Sequence, residues 1–181
     1  MNKVPLHFMS HIQFAGVENV GLLILVDEEE RHQLAIPCDE AMLHQVMLRK
    51  SHAAERNLML PEVLWQVLSS QTDMRFEILI NDLINEQYRA ILYNIETLEP
   101  VAIRACDAVL LSYIGKIPLF IEERLMMKQS VPYYRETKNV YMPINVVSNN
   151  MLKEALDKAV KDENYELASH LRDEMLRRKL K

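Results

Sequence analysis

Residues 100–121, PVAIRACDAVLLSYIGKIPLFI, carry the pattern that indicates the fold class. Its first five residues favour a short strand, and the small and polar residues at 105–107 suit the entry of a helix. The apolar run 108–114 forms the helix body, and Gly115 is placed to end the helix in the left-handed conformation. Pro118 and its apolar neighbours then return as a second short strand. The stretch therefore predicts a strand–helix–strand unit.

Strand and helix patterns also alternate upstream of this unit. Residues 20–26 form a continuous apolar run of strand length, and residues 32–38 follow as a second strand after an acidic turn. Asp39 can cap a helix over residues 40–50, and Pro61 suits the first turn of another helix. That second helix carries an apolar stripe at helical spacing, which consists of Val63, Leu64, Val67 and Leu68.

The segment before residue 100 has the period of a β-hairpin. Residues 74–80 alternate between apolar and mostly polar side chains, and Asn85–Glu86 can turn the chain into a partner strand over residues 87–94. Together with the unit at 100–121, these patterns predict an α+β fold with a mixed or antiparallel sheet and packed helices.

The C-terminal segment has a different pattern. Apolar residues recur at helical spacing from Met151, stop at the polar residues 162–164, and resume as far as Met175. We expect two short antiparallel helices, a hairpin whose apolar stripes must meet each other or a partner, because helices of about three turns are marginal alone. The predicted organisation is a main domain over residues 1–128, a linker over 129–150 and the hairpin over 151–181.

Composition and cysteine content predict the cellular compartment of the protein. The chain has 181 residues, of which 49% are apolar and 26% are charged, as in an ordinary globular protein. It contains neither an apolar stretch of about 18 residues nor the apolar core of a signal peptide, so we expect no membrane association. Cys38 and Cys106 fit neither a disulfide framework nor a CxxC site. A reducing compartment, the cytoplasm, is the simplest prediction.

The charge distribution argues against avid nucleic-acid binding. The formal net charge is -5, and the residues up to Ser148 include 13 basic and 19 acidic side chains. The best basic patch of the main domain consists of Arg49, Lys50 and Arg56, which are therefore the candidate nucleic-acid-binding residues. The alternative is an ordinary solvated face, which is the commoner role of such a run.

Two segments resemble known families. Residues 101–111, followed by 115–123, are similar to the most typical block of the bifunctional nuclease (BFN) family, which reads approximately D-x-R-P-S-D-A-I-x-L-A and then G-x-P-I-F-V-x-E-E. Residues 34–41 and 76–90 fall in the order that this family shows. Residues 152–174 resemble the UVR motif of bacterial excision-nuclease subunits. A BFN domain followed by a UVR motif is a known combination.

The resemblance implies a homo-oligomeric hydrolase that cleaves RNA and DNA, with a helical hairpin that binds a protein partner. The polar family positions that remain are Glu40, Arg104 and Asp107. Several positions depart from the family pattern: Cys106 replaces Ser, Ala105 replaces Pro, Ala102 replaces Asp, and residues 59–62 lack the usual histidine.

These polar positions suggest a chemistry. Phosphodiester hydrolysis needs an activated water and positive charge on the phosphate. Asp107 and Glu40 could hold Mg²⁺ or Mn²⁺ and activate the water, and Arg104 could bind the phosphate through two hydrogen bonds. The alternative is structural, with Asp107 stabilising a helix N-terminus and Arg104 pairing with Asp107 or Glu40. Spacing alone favours the structural role, and the resemblance gives the catalytic role comparable weight.

Other chemistry-bearing residues have plainer interpretations. A reactive Cys106 is conceivable at a helix N-terminus, but a buried, inert cysteine is the commoner case. His7 and His11 have the spacing of a metal pair without a helical pattern around them, which favours ordinary surface histidines.

Two functions remain open. The first is a metal-assisted nuclease of low sequence specificity, in which Asp107, Glu40 and Arg104 are catalytic. The second is a catalytically inactive scaffold or regulator, which binds a protein partner through residues 151–181. The missing histidine and the acidic charge favour the second function, and the retained Arg-x-x-Asp block favours the first.

Overall fold

The computed structural model describes residues 2–13, 20–51, 57–134, 149–161, 163 and 165–177. The strands in these ranges are β1 (Lys3–Gln13), β2 (Val20–Asp27), β3 (His32–Asp39), β4 (Phe76–Ile84), β5 (Gln87–Asn94), β6 (Pro100–Arg104), β7 (Leu119–Glu122) and β8 (Val131–Pro132). The helices are α1 (Glu40–Lys50), α2 (Leu60–Gln71), α3 (Ala105–Gly115), α4 (Glu123–Gln129), α5 (Asn149–Lys161) and α6 (Tyr165–Arg177). Arg56 and most of the predicted linker, residues 135–148, lie outside the described residues.

The strands form one eight-stranded sheet in the order β6-β5-β4-β7-β1-β2-β3-β8. β4 and β7 pair in parallel, and the other recorded pairs are antiparallel. This mixed sheet with packed helices confirms the predicted α+β class. The hairpin turn is also confirmed: Asn85 and Glu86 both have positive φ, 50° and 65°, as a two-residue turn that matches strand twist requires.

Three elements had no counterpart in the sequence prediction: β1, α4 and β8. β1 lies between β7 and β2 and so joins the two halves of the sheet. A register shift between Phe8 and Ser10 interrupts its alternation, which explains why its sequence lacks a clean strand period. β8 pairs with β3 and lies within the segment predicted as a linker.

The sheet curls around α3. Five strands lie between β3 and β6 in the sheet order, so the two strands would be about 30 Å apart in a flat sheet. Nevertheless, Arg104 at the end of β6 and Asp39 at the end of β3 approach within 3.7 Å. Helix α3, which contacts both strands, fills the concave face. Its inner side chains are buried together with those of the sheet, including Ala108, Val109, Ile36, Ile78, Ile80 and Ile121.

Helix α2 packs on α3 through a glycine. Gly115 is the last residue of α3, and the left-handed residue is Lys116, with φ 54° and ψ 32°. The prediction that Gly115 adopts this conformation is therefore wrong by one residue. Gly115 has a different role: a Cβ added there would lie 2.7 Å from the ring of Trp65 in α2. The absent side chain allows the two helices to touch.

Arg49 joins α1 to α2 from inside the protein. Its side chain is only 1% exposed, and it donates to both carboxylate oxygens of Glu62, from Nε at 2.6 Å and from Nη2 at 2.8 Å. Its Nη1 donates to the backbone and side-chain oxygens of Gln45. The prediction that Arg49 contacts nucleic acid is wrong, because a buried guanidinium held in this way cannot reach a phosphate.

The C-terminal helices α5 and α6 pack against each other, which confirms the predicted hairpin. The buried side chains of the two helices include Leu152, Ala159, Ala168 and Leu171. None of the helices in the described ranges has the length and apolar character needed to cross a bilayer.

The contact between Gly115 and Trp65 leads to the first prediction. Gly115→Ala should lower the free energy of unfolding by about 1–3 kcal/mol, because the whole indole ring must move to admit the new methyl group. Urea unfolding can be followed by the fluorescence of Trp65, the one tryptophan of the chain. Lys116→Gly is the matched control and should not destabilise, since its left-handed conformation is strained for a residue with a side chain. An unchanged stability for Gly115→Ala would contradict the observed packing.

The buried pair of Arg49 and Glu62 leads to a second prediction. Glu62→Ala should lower the free energy of unfolding by about 3–5 kcal/mol, because it removes the carboxylate that accepts two hydrogen bonds from a buried guanidinium. The measurement is chemical denaturation, with the exposed residue Glu99 changed to Ala as a control that should stay within about 0.5 kcal/mol of the native chain. Equal effects of the two substitutions would show that the pair is dispensable.

Candidate active site

Two junctions between a strand and a helix meet at the surface. β3 passes directly into α1 at Asp39, and β6 passes directly into α3 at Arg104. Asp39 caps α1 as predicted, since its Oδ1 accepts a hydrogen bond from the backbone N–H of Met42 at 2.7 Å. Arg104 holds the equivalent position before α3 but makes no side-chain cap, so its guanidinium is available for other partners.

The guanidinium of Arg104 lies between two carboxylates. Its Nε donates to Oδ2 of Asp107 at 2.5 Å, and its Nη2 donates to Oδ1 of the same residue at 3.0 Å. Its Nη1 lies 3.7 Å from Oδ2 of Asp39. The hydrogen bond to Asp107 raises the pKa of Arg104, so the cation stays charged. The side chain of Arg104 is nevertheless 66% exposed, and the cluster is open to solvent.

The structure brings together two of the three residues proposed as catalytic from the sequence. Arg104 and Asp107 are in contact, but the second carboxylate beside Arg104 is Asp39 rather than Glu40. Glu40 is exposed at the start of α1, and no ion pair or hydrogen bond of its side chain is recorded within the described ranges. The sequence marked Asp39 only as a helix cap. Because capping uses one carboxylate oxygen, the other oxygen remains free to approach Arg104.

Both cysteines are buried next to residues of this cluster. Cys38 precedes Asp39, and Cys106 lies in the first turn of α3; both are buried free thiols. Burial, with a smaller contribution from Cys106 and Asp39, raises the pKa of Cys38 to about 12. Burial and the neighbouring Asp107 also raise the pKa of Cys106. Both thiols therefore stay protonated at neutral pH, which is consistent with structural cysteines and not with nucleophiles.

The histidines His7 and His11 do not form a metal pair. A bulge in β1 places them on opposite faces of the sheet: His11 pairs with Leu23 of the concave-face core, whereas His7 pairs with Val26. More generally, no group of three or more His, Cys, Asp or Glu side chains in the described part of the chain is arranged to hold a metal ion.

Of the three residues of the predicted basic patch, one is exposed, one is buried and one lies outside the described residues. Lys50 is exposed at the end of α1, with its Nζ 3.4 Å from the backbone oxygen of Met9 and 5.0 Å from the ring centroid of Phe8. Arg49 is buried, as described above, and Arg56 lies outside the ranges described.

Comparisons with known proteins agree with the resemblance. A family model described as the bifunctional nuclease domain matches residues 23–133, and a model described as the UvrB/uvrC motif matches residues 150–179. Comparison with curated proteins gives no match. The first match spans more than half of the chain and includes Asp39, Glu40, Arg104 and Asp107. The chain therefore belongs to the bifunctional nuclease domain family and carries a UVR motif after that domain.

Proposed function

We propose that this chain is a nuclease of low sequence specificity, which hydrolyses phosphodiester bonds in RNA, DNA or both. The observation that carries the proposal is the exposed guanidinium of Arg104 between the carboxylates of Asp107 and Asp39. A guanidinium binds phosphate oxygens through parallel hydrogen bonds, and a carboxylate can accept the proton of an attacking water. The membership of the domain in the bifunctional nuclease family supports the same chemistry.

Substrate binding requires an exchange at Arg104. Two of its N–H groups donate to Asp107, so a phosphodiester must replace this carboxylate to be bound by both. The released Asp107 then lies beside the phosphate, where it can take a proton from water as the water oxygen attacks phosphorus. The bond from phosphorus to the leaving sugar oxygen breaks, and that oxygen takes a proton from solvent.

The charge of the site favours help from a divalent cation. Asp39, Glu40 and Asp107 lie in or next to this cluster, and they outnumber the one guanidinium, so a phosphodiester anion would be repelled. Mg²⁺ is often held by one or two carboxylates together with substrate phosphates, which fits a site whose described residues form no three-ligand cage. Asp107 and Glu40, with Asp39, are the groups that would hold Mg²⁺ or Mn²⁺. When bound, such an ion neutralises phosphate charge and lowers the pKa of its water.

The remaining parts of the proposal concern partners and organisation. Lys50 and Arg56 are the candidate phosphate contacts outside the cluster. The hairpin of residues 151–181 binds a protein partner, and the UVR motif matched there supports this assignment. A groove of about 740 Å³ in the hairpin is lined by apolar residues that include Leu156, Val160 and Ala168, and also by charged residues. We also propose that the protein is cytoplasmic and homo-oligomeric. Its main domain spans residues 1–128, its linker 129–150 and its hairpin 151–181.

One observation favours the second function, a scaffold without catalysis. Asp107 occupies two N–H groups of Arg104, which is also the geometry of a purely structural ion pair at a helix start. In that case the domain positions the hairpin, and the hairpin recruits a partner.

A nuclease assay separates the two functions and gives a third prediction. Labelled single-stranded RNA and DNA are incubated with the full chain and Mg²⁺ or Mn²⁺, with and without EDTA. Arg104→Ala and Asp107→Asn should each lower the rate at least about 100-fold, because they remove the phosphate ligand and the proton acceptor. Arg104→Lys should also be impaired, since an ammonium group cannot make paired hydrogen bonds.

The controls for this assay come from the same chain. Arg75→Ala removes an arginine that is 70% exposed and pairs only weakly with Glu96, at 3.6 Å, and it should retain full activity. Asp39→Asn keeps an effective helix cap but loses the charge beside Arg104, whereas Glu40→Gln leaves the cluster intact. The geometry predicts the larger loss for Asp39→Asn. Cleavage that survives both Arg104→Ala and Asp107→Asn would reject the nuclease site, and a chain inactive with either metal would favour the scaffold.

A further inference from the structure

Helix α2 is amphipathic, but its apolar side faces solvent instead of the protein core. The side that contacts the rest of the protein carries Trp65, packed on Gly115, and Glu62, bound by Arg49. At about 100° per residue, the apolar stripe lies on the other side of the helix. We define this stripe as the α2 face; its members are Leu60, Val63, Leu64, Val67 and Leu68, which are between 38% and 69% exposed. A stripe of this kind ordinarily faces a core.

Two neighbours enlarge the exposed apolar surface. Leu58 is 82% exposed, and Met74, which follows the helix, is 52% exposed. Together with the α2 face, they present several hundred Å² of apolar side chain, the scale at which exposed patches mark interaction sites. A standard protein interface buries about 800 Å² on each partner, so this surface forms a large part of one.

The chemistry of the α2 face limits its occupant. Residues 57–74 contain only two charged side chains, Glu62 and Asp73, and no lysine or arginine. Glu62 points into the protein towards Arg49. The face therefore has no cation for a nucleic-acid phosphate. It also has no charge to match Asp157, Lys161 and Arg172, which border the groove of the α5–α6 hairpin. A matching surface must be apolar and uncharged, and the α2 face has that composition itself.

The spacing of the apolar residues on the α2 face also fits pairing with the α2 helix of a second copy. Leu60, Leu64 and Val67 are spaced by four and three residues, as along the seam where two helices pair. The next seam position, Gln71, is polar and uncharged. A surface that pairs with an identical copy about a twofold axis must be complementary to itself. An antiparallel crossing of two α2 helices, centred between Leu64 and Val67, meets this requirement.

We infer that the α2 face is the surface through which two copies of this chain form a dimer. Pairing there leaves the candidate active sites open, because Gly115 and Arg104 lie at opposite ends of α3, about 16 Å apart. The inference does not depend on nuclease activity, and a dimer of inactive chains would satisfy it equally.

The test measures the oligomeric state of the full chain by sedimentation velocity from about 1 µM to about 100 µM. The native chain should dimerise, and Leu64→Glu should weaken the dimer at least about 30-fold, because two buried carboxylates meet near the axis. Leu64→Lys should have the same effect. An equimolar mixture of the Leu64→Glu and Leu64→Lys chains should recover the dimer, which a misfolded variant could not do.

Two matched controls locate the interface. Met127→Glu changes an exposed side chain of α4, and Val160→Glu changes an exposed side chain of the hairpin. Both variants should dimerise like the native chain. A native chain that stays monomeric throughout, a Leu64→Glu chain that still dimerises, or a dimer lost on Val160→Glu alone would each overturn the inference. The last outcome would place the interface on the hairpin.

Discussion

Burial of α3 inside the curved sheet brings the residues of the candidate site together. The helix fills the concave face, and Ala108 and Val109 are almost completely inaccessible to solvent there. Each fully buried aliphatic side chain of valine size or larger contributes about 1.5–3 kcal/mol, so the sheet gains stability by closing on the helix. Closing brings the ends of β3 and β6 together, although five strands separate them in the sheet. Asp39 and Arg104 are therefore neighbours because of the core and not because of their own attraction.

Much of this fold could be predicted because its signals are local. The apolar run of β2, the cap at Asp39 and the turn at Asn85–Glu86 each depend on a few consecutive residues, and the structure shows all of them. The signals that failed depend on distant parts of the chain. β1 has a bulge that hides its alternation, and Gly115 is fixed by the ring of Trp65 rather than by its own turn.

The candidate site was partly predictable for the same reason. Arg104 and Asp107 are three residues apart across a helix start, so their pairing follows from local geometry. Asp39 joins them only through the curl of the sheet, which no local pattern contains. The assignment of Arg49 failed because sequence alone cannot distinguish an exposed arginine from one that a distant carboxylate, Glu62, holds inside the protein.

The contrast between the two arginines supports Arg104, and not Arg49, as the proposed phosphate ligand. Arg49 is 1% exposed, and separating it from Glu62 would break a buried ion pair joined by two hydrogen bonds, at a cost of several kcal/mol. Arg104 is 66% exposed, and an ion pair in such a position typically contributes about 0–1 kcal/mol once water and salt screen it. In the proposed nuclease, a phosphodiester would therefore displace Asp107 from Arg104 at small cost. Exposure, more than the number of hydrogen bonds, decides which arginine can exchange its carboxylate for a phosphate.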